Sequence, residues 1–166
     1  MVRPGLLLYG VFPAKETAGL DLRPAMSLYS RGSDVTHHHK GDTISYGRTF
    51  TCPRDMRLAV LPVGYADGLL RSLSGKGDVL LHGQRAPQVG RICMDMCMVD
   101  ITRVPEAKVG DVVTVFGEDG GDSIELTSLA NRLGTIPYEL MCGINKRIPR
   151  IYLNGEDETE VLQYIV

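Results

Sequence analysis

Short apolar runs, cut at regular intervals by glycine and proline, constrain this chain most. Its nineteen glycines and nine prolines are spread along 166 residues rather than gathered in one linker. That distribution suits many short strands joined by tight turns. From Met26 the polarity alternates with a period of two: Met26, Leu28 and Ser30 against Ser27, Tyr29 and Arg31. Lys40-Gly41-Asp42 is a turn signal. Thr43 to Thr51 is rich in the Thr, Ile, Tyr and Phe that favour strands. Arg57 to Val63 alternates around Leu58 and Val60, and Pro62 marks a strand end or edge. Asp78 to His82 and Arg85 to Val89 flank Gly83-Gln84, which reads as a type II′ hairpin loop. Cys97, Val99 and Ile101 alternate with Met98 and Asp100. Asp111 to Phe116 is a further strand, entered through Val109-Gly110 and left through Gly117.

One helix is expected late in the chain. Asp122 can cap it, with Glu125 as the other half of a capping box. Leu126, Leu129, Ala130 and Leu133 make its apolar stripe, and Gly134 ends it. Tyr138 to Cys142 reads as a short helical turn, and Arg147 to Leu153 as a last strand. Val2 to Val11 is a strand-like apolar run, followed by a polar, Pro- and Gly-bearing stretch from Pro13 to Pro24. These elements predict an all-β, barrel-like domain with one late α-helix. The expected boundaries are the end of a preceding domain over residues 1–19, the β-domain over 20–153, and a tail over 154–166.

Composition removes several function classes. A chain of this length with 43% hydrophobic residues is neither disordered nor fibrous. Eighteen basic and 20 acidic side chains give a net charge of -2, without a basic run, so the footprint of nucleic-acid binding is missing. Leu6-Leu7-Leu8 is interrupted at once by Tyr9 and Gly10, so no apolar stretch approaches a membrane span. With no leader pattern at the start, the cytoplasm is the expected compartment. Cys52, Cys93, Cys97 and Cys142 lack zinc-site spacing and read as reduced, mostly buried thiols, with no metal expected. Successive strand residues face opposite ways, so at most two of His37, His38 and His39 could share a metal; the trio reads as a solvated turn. Gly75-Lys76-Gly77-Asp78 lacks the spacing of a phosphate loop and is also a turn.

Five strings carry a more specific signal. They are Arg3-Pro4-Gly5; Ser45-Tyr46-Gly47-Arg48-Thr49-Phe50; Pro62-Val63-Gly64-Tyr65-Ala66-Asp67-Gly68; Gly90-Arg91-Ile92-Cys93-Met94-Asp95; and Gly134-Thr135-Ile136-Pro137-Tyr138-Glu139. Together and in this order they resemble the alanine racemase family, over nearly the whole chain up to Leu153. The resemblance implies a (β/α)₈ barrel that holds pyridoxal phosphate on a lysine, followed by a C-terminal β-domain. It also implies a head-to-tail homodimer in which the β-domain of one subunit completes the site on the barrel of the other. Residues 1–19 would then be the end of that barrel. None of Lys15, Lys40, Lys76, Lys108 or Lys146 matches the cofactor lysine, so the chain alone is expected to be inactive.

The matched residues have roles that chemistry makes intelligible. Racemisation takes the α-proton from one face of the substrate and returns one to the other, which two opposed acid/base groups can do. The resemblance makes Tyr46 one of them and the cofactor lysine the other. A tyrosine titrates near ~10 in water, so a basic phenolate needs positive charge or strong hydrogen bonds nearby. Read without the resemblance, Tyr46 is a strand aromatic packing in the sheet. Arg3 matches an arginine that faces the cofactor's pyridine nitrogen; always protonated, it would keep that nitrogen unprotonated and limit side reactions. Gly5 and Leu6 match backbone positions that bind the phosphate, and Tyr138 a tyrosine that touches it. Met94 matches a residue whose main-chain N–H meets the substrate carboxylate, although its side chain could be core. Tyr65, Arg91 and Asp95 would line the site or its entrance, with a surface salt bridge the other reading of Arg91. The implied function is interconversion of L- and D-alanine, a step towards cell-wall precursors. The alternatives are a relative that prefers serine, whose specificity would turn on a few groups near the substrate methyl, and a β-domain that only mediates assembly.

Overall fold

Where the sequence alternates, the chain is extended. The computed structural model describes residues 1–12, 20–155 and 157–163. Ten strands come first: β1 (Leu28–Arg31), β2 (Asp34–His38), β3 (Thr43–Ile44), β4 (Phe50–Thr51), β5 (Met56–Leu61), β6 (Asp78–Leu81), β7 (Gln84–Val89), β8 (Cys97–Asp100), β9 (Val112–Asp119) and β10 (Asp122–Ile124). Two helices follow, α1 (Leu126–Leu133) and α2 (Pro137–Gly143), and then a hairpin of β11 (Arg150–Asn154) and β12 (Asp157–Leu162). The main sheet runs in the order β1-β9-β6-β7-β8-β5-β2, with β10 added to β9, and its pairings are antiparallel.

Connectivity forces this sheet to curl. β1 and β2 lie at opposite ends of the strand order, yet only Gly32 and Ser33 separate them in the chain. Three residue steps reach at most about 11 Å, so the two ends of the sheet must meet. Gly32 N–H donates to the Asp111 carbonyl on the β9 side, and Ser33 N–H to the Val60 carbonyl on β5. The result is the expected barrel-like domain. Its interior is filled by the inward residues of alternating strands: Leu61, Leu80, Val99 and Val113 are all at most 1% exposed. A second, smaller cluster joins Ile44, Cys52, Met56, Leu58 and Val89 under the β3–β4 excursion. α1 and α2 set Leu126, Leu129, Ala130 and Leu140 into the same core as Leu73, Val115 and Phe116. Each such fully buried aliphatic side chain contributes about 1.5–3 kcal/mol.

Several expectations are corrected. There are two helices rather than one, because Pro137 opens a second at its first turn. α1 begins later than its capping box implied. Asp122 is in β10, where its carboxylate takes a forked pair of bonds from Arg85 at 2.7 and 2.8 Å, and Glu125 holds the N-cap position without a side-chain capping bond to the helix backbone. The C-terminus is as expected, with Gly134 left-handed at φ 70°. The β6–β7 loop is His82-Gly83, not Gly83-Gln84. Both residues have positive φ (52° and 72°), which makes the turn type I′. β9 continues through Gly117 to Asp119, and only then do Gly120 and Gly121 turn it into β10. His37 and His38 belong to β2, a strand the alternation did not reveal, rather than to a turn. Gly5–Tyr9 within the expected first strand is a 3₁₀ turn, and Thr43 to Thr51 is broken in its middle, as described below. Of the four thiols, Cys52 and Cys97 are buried, Cys93 is half-buried and Cys142 exposed. Part of the expected leading segment, residues 13–19, and parts of the expected tail, residues 156 and 164–166, lie outside the described residues.

Candidate active site

Three of the five strings fold onto one another. The run from Thr43 to Thr51 cannot continue as a strand because Ser45, Gly47 and Arg48 take positive φ of 67°, 72° and 49°. A 3₁₀ turn over Tyr46–Arg48 therefore interrupts it between β3 and β4, and lifts Tyr46 to 73% exposure. Ser45 Oγ donates to the Arg91 carbonyl at 2.7 Å, which ties this turn to the segment following β7. Gly90 is needed there: a Cβ would lie 2.8 Å from that of Ser45. The segment after β5 binds the same loop by its main chain, with Tyr65 N–H donating to the Cys93 carbonyl and Ala66 N–H to that of Met94, both at 3.0 Å. Gly64 sits so close that a Cβ would lie 2.3 Å from the Cys93 oxygen. Cys93 N–H closes the loop on the Met96 carbonyl at 2.8 Å.

The product of this packing is one open groove of about 450 Å³, whose lining includes Tyr46, Tyr65, Arg71, Arg91, Met94 and Asp95. All five residues named above as catalytic or substrate-facing converge there, from segments up to 49 positions apart. Arg71 is an addition that the strings did not signal; it follows the Gly64–Gly68 turn by three residues, at the start of a short 3₁₀ turn. Arg91 makes no ion pair among the described residues. Its guanidinium instead lies against Gly47, where a Cβ would be 3.5 Å from Nη1. Arg91 and Tyr46 both line the groove. Arg147 is also new: it pairs with Asp67 and Asp95, which raises its pKa and keeps it firmly protonated. In the core behind the groove-lining Cys93, burial and that neighbouring thiol push the Cys97 thiol up to about 12, so it stays protonated and inert.

The residues matched to the cofactor gather elsewhere, and none of them lines the groove. Gly5 opens the 3₁₀ turn with φ 53°, and a Cβ there would lie 2.0 Å from Tyr138 Oη. Glycine leaves room for the phenol, which accepts the Leu6 N–H at 3.0 Å across 132 residues of sequence. Arg3 is exposed just ahead of them.

The family model "Alanine racemase, C-terminal domain" matches residues 25–152. The chain belongs to this family. Among curated relatives, the alanine racemase of Methanococcus maripaludis is 49% identical over 156 residues, which is 93% of this chain and 42% of the relative. That of Clostridium novyi is 47% identical over 167 residues, 99% of this chain and 43% of the relative. Among solved structures, alanine racemase from Bacillus anthracis with bound L-Ala-P superposes with a TM-score of 0.90 at 37% identity, covering 96% of this chain and 42% of that one. Alanine racemase of Clostridium difficile in complex with cycloserine gives 0.87 at 38% identity, with the same 96% and 42% coverage. This alanine racemase C-terminal domain therefore spans about two-fifths of the length of the relatives it matches. Within it, Lys40, Lys76, Lys108 and Lys146 are all exposed and none lines the groove, while Lys15 lies outside the described residues. No helix among the described residues is long and apolar enough to cross a membrane.

Proposed function

We propose that the polypeptide carrying this domain is a cytoplasmic, pyridoxal-phosphate-dependent racemase that interconverts L- and D-alanine. The observation that carries the reading is the convergence of Tyr46, Tyr65, Arg91, Met94 and Asp95 on one groove, in a chain of the alanine racemase family. The Tyr46 hydroxyl moves a proton at the substrate Cα on one face, opposite the cofactor lysine of a barrel domain. Arg91 lies against Gly47, the residue after Tyr46, and lines the same groove. Met94 N–H donates to the substrate carboxylate, with the Met94 carbonyl already held by Ala66 N–H.

The second cluster fits the cofactor's phosphate. With the Leu6 N–H donated into it, the Tyr138 oxygen keeps its own proton free to point outward at a phosphate oxygen, and Arg3 stands ahead of the turn to face the pyridine nitrogen. Bound pyridoxal phosphate supplies the electron withdrawal that acidifies the substrate α-C–H. Because the two clusters are separate on one domain, we assign them to two sites of a head-to-tail homodimer: Arg3, Gly5, Leu6 and Tyr138 to the subunit's own barrel, and the groove to its partner's. Residues 1–19 would belong to the barrel, 20–153 to the β-domain, and 154–166 to an appended tail.

The test is conversion of L-alanine to its enantiomer by the full natural polypeptide, followed by chiral chromatography, with L-serine alongside. Racemisation of alanine is expected, and the 166-residue chain alone should give neither activity nor a borohydride-stable cofactor adduct. A full polypeptide with no racemase activity would leave the domain an assembly module. Faster turnover of serine would move the substrate assignment.

A further inference from the structure

Arg147 joins two of the strings through two different carboxylates. Its Nε donates to Asp67 Oδ1 and its Nη2 to Asp95 Oδ1, each at 2.6 Å. The two carboxylates differ in what they need. Asp67 is 3% exposed, and its other oxygen accepts the Gly64 N–H at 2.7 Å. A carboxylate so buried requires a counter-charge, and Arg147 is it. Asp95 is exposed, and an exposed carboxylate gains little stability from an ion pair. The effect of the second bond is therefore on position. The guanidinium is planar and its donors are fixed relative to one another, so Asp95 is held at a set place relative to Asp67. Asp67 is anchored in turn, since its carbonyl accepts the Asn145 N–H at 3.1 Å. Met94, next to Asp95, and Tyr65, two residues from Asp67, both face the groove.

We propose that Arg147 is a positioning residue: a fork that sets the Met94 turn against the Tyr65 turn, so that the Met94 N–H meets the substrate carboxylate in register with Tyr46. This rests on the racemase reading given above. Asp95→Asn breaks the outer tine and leaves the buried Asp67 pair intact. Arg147→Lys keeps a charge for Asp67 but cannot hold both carboxylates. In the full natural polypeptide, Asp95→Asn should raise KM for alanine about tenfold while kcat stays within about twofold. Its melting temperature should be unchanged, and hydrogen exchange should quicken at the Met94 to Met96 amides. Asp95→Glu, which can still reach the fork, should recover part of the lost KM. The double variant should be no worse in KM than Arg147→Lys alone, because both substitutions remove one and the same contact.

Additive KM effects would overturn the proposal, because Asp95 would then act on substrate by itself. So would unchanged exchange at Met94 to Met96, or kcat, KM and melting temperature falling together in Asp95→Asn. If the wild-type polypeptide racemises nothing, the racemase reading fails separately and exchange alone judges the fork. Faster exchange confined to the two turns in both variants supports it, and unaltered exchange refutes it.

Discussion

Around Tyr46, three segments of one domain meet through two main-chain hydrogen bonds and one from the Ser45 hydroxyl, and two of the joins are so tight that only glycine fits. Around Tyr138, one hydrogen bond ties Leu6 to α2, and Leu8, Ile136 and Tyr138 remain exposed around it. The groove is thus pre-organised by the β-domain's own fold, whereas the cluster around Tyr138, which we propose meets the cofactor phosphate, is held more loosely. On the proposed reading Tyr46 is a base, whose position must be fixed within a fraction of an ångström; its turn is tied down by the Ser45–Arg91 bond and by the close packing at Gly90. A group that only contacts phosphate tolerates a looser seat.

Substitutions can break this contrast. The largest effect is expected from Tyr46→Phe in the full polypeptide, where racemisation should fall by ~10² or more, as for loss of a general base. Exchange of the D-alanine α-proton with solvent deuterium should persist while that of L-alanine is lost, because only one face is impaired. Equal slowing of both enantiomers would dismiss Tyr46 as the base and turn attention to Tyr65.

Next in size, Gly64→Ala forces a Cβ against the Cys93 and Met94 carbonyls, which are backbone and cannot swing aside. It should cost about 1–3 kcal/mol in urea unfolding and distort the groove. Gly5→Ala meets only the end of the Tyr138 side chain, so its cost should be confined to the left-handed backbone, about 1–2 kcal/mol, and to weaker cofactor binding. If Gly5→Ala proved the more disruptive to the groove, the two regions would not be independent. Tyr138→Phe sharpens the same point. Removing the hydroxyl should weaken cofactor affinity about tenfold while costing about 1 kcal/mol of stability or less, as read by cofactor titration and thermal melts.

The smallest effect belongs to the scaffold remote from both regions. Arg85, and then the Ser123 N–H, hold the Asp122 carboxyl below its usual pKa. A depressed carboxylate stabilises the fold above its ordinary pKa of about 3.9, and that contribution disappears as pH falls through the lowered value. Asp122→Asn should therefore melt slightly below the wild type at pH 7, and the difference should vanish in strong acid. A difference that grew in acid would contradict the Arg85 pairing.

Alternation with period two was enough to mark most strands from β1 to β9 and to predict a barrel-like β-domain, because side chains on a half-buried sheet must alternate. The strings around Tyr46, Tyr65 and Met94 also named five groove residues without coordinates. Local signals failed where tertiary contacts compete with them. Asp122 has the chemistry of a cap, but it serves Arg85 across the sheet. Thr43 to Thr51 has strand composition, yet Gly47 and the packing of Ser45 on Arg91 bend it into the turn that exposes Tyr46. Arg71 and Arg147 lie outside the quoted cores of the strings, and nothing in their neighbours announces a role. Arg147 acquires one only because the fold carries it to two aspartates 80 and 52 positions away. Sequence by itself determined which residues alternate and which turns need glycine, since these depend on near neighbours. Only the tertiary structure decided which of those residues share a groove, because closing a sheet through Gly32 and Ser33 brings together segments that no local rule relates.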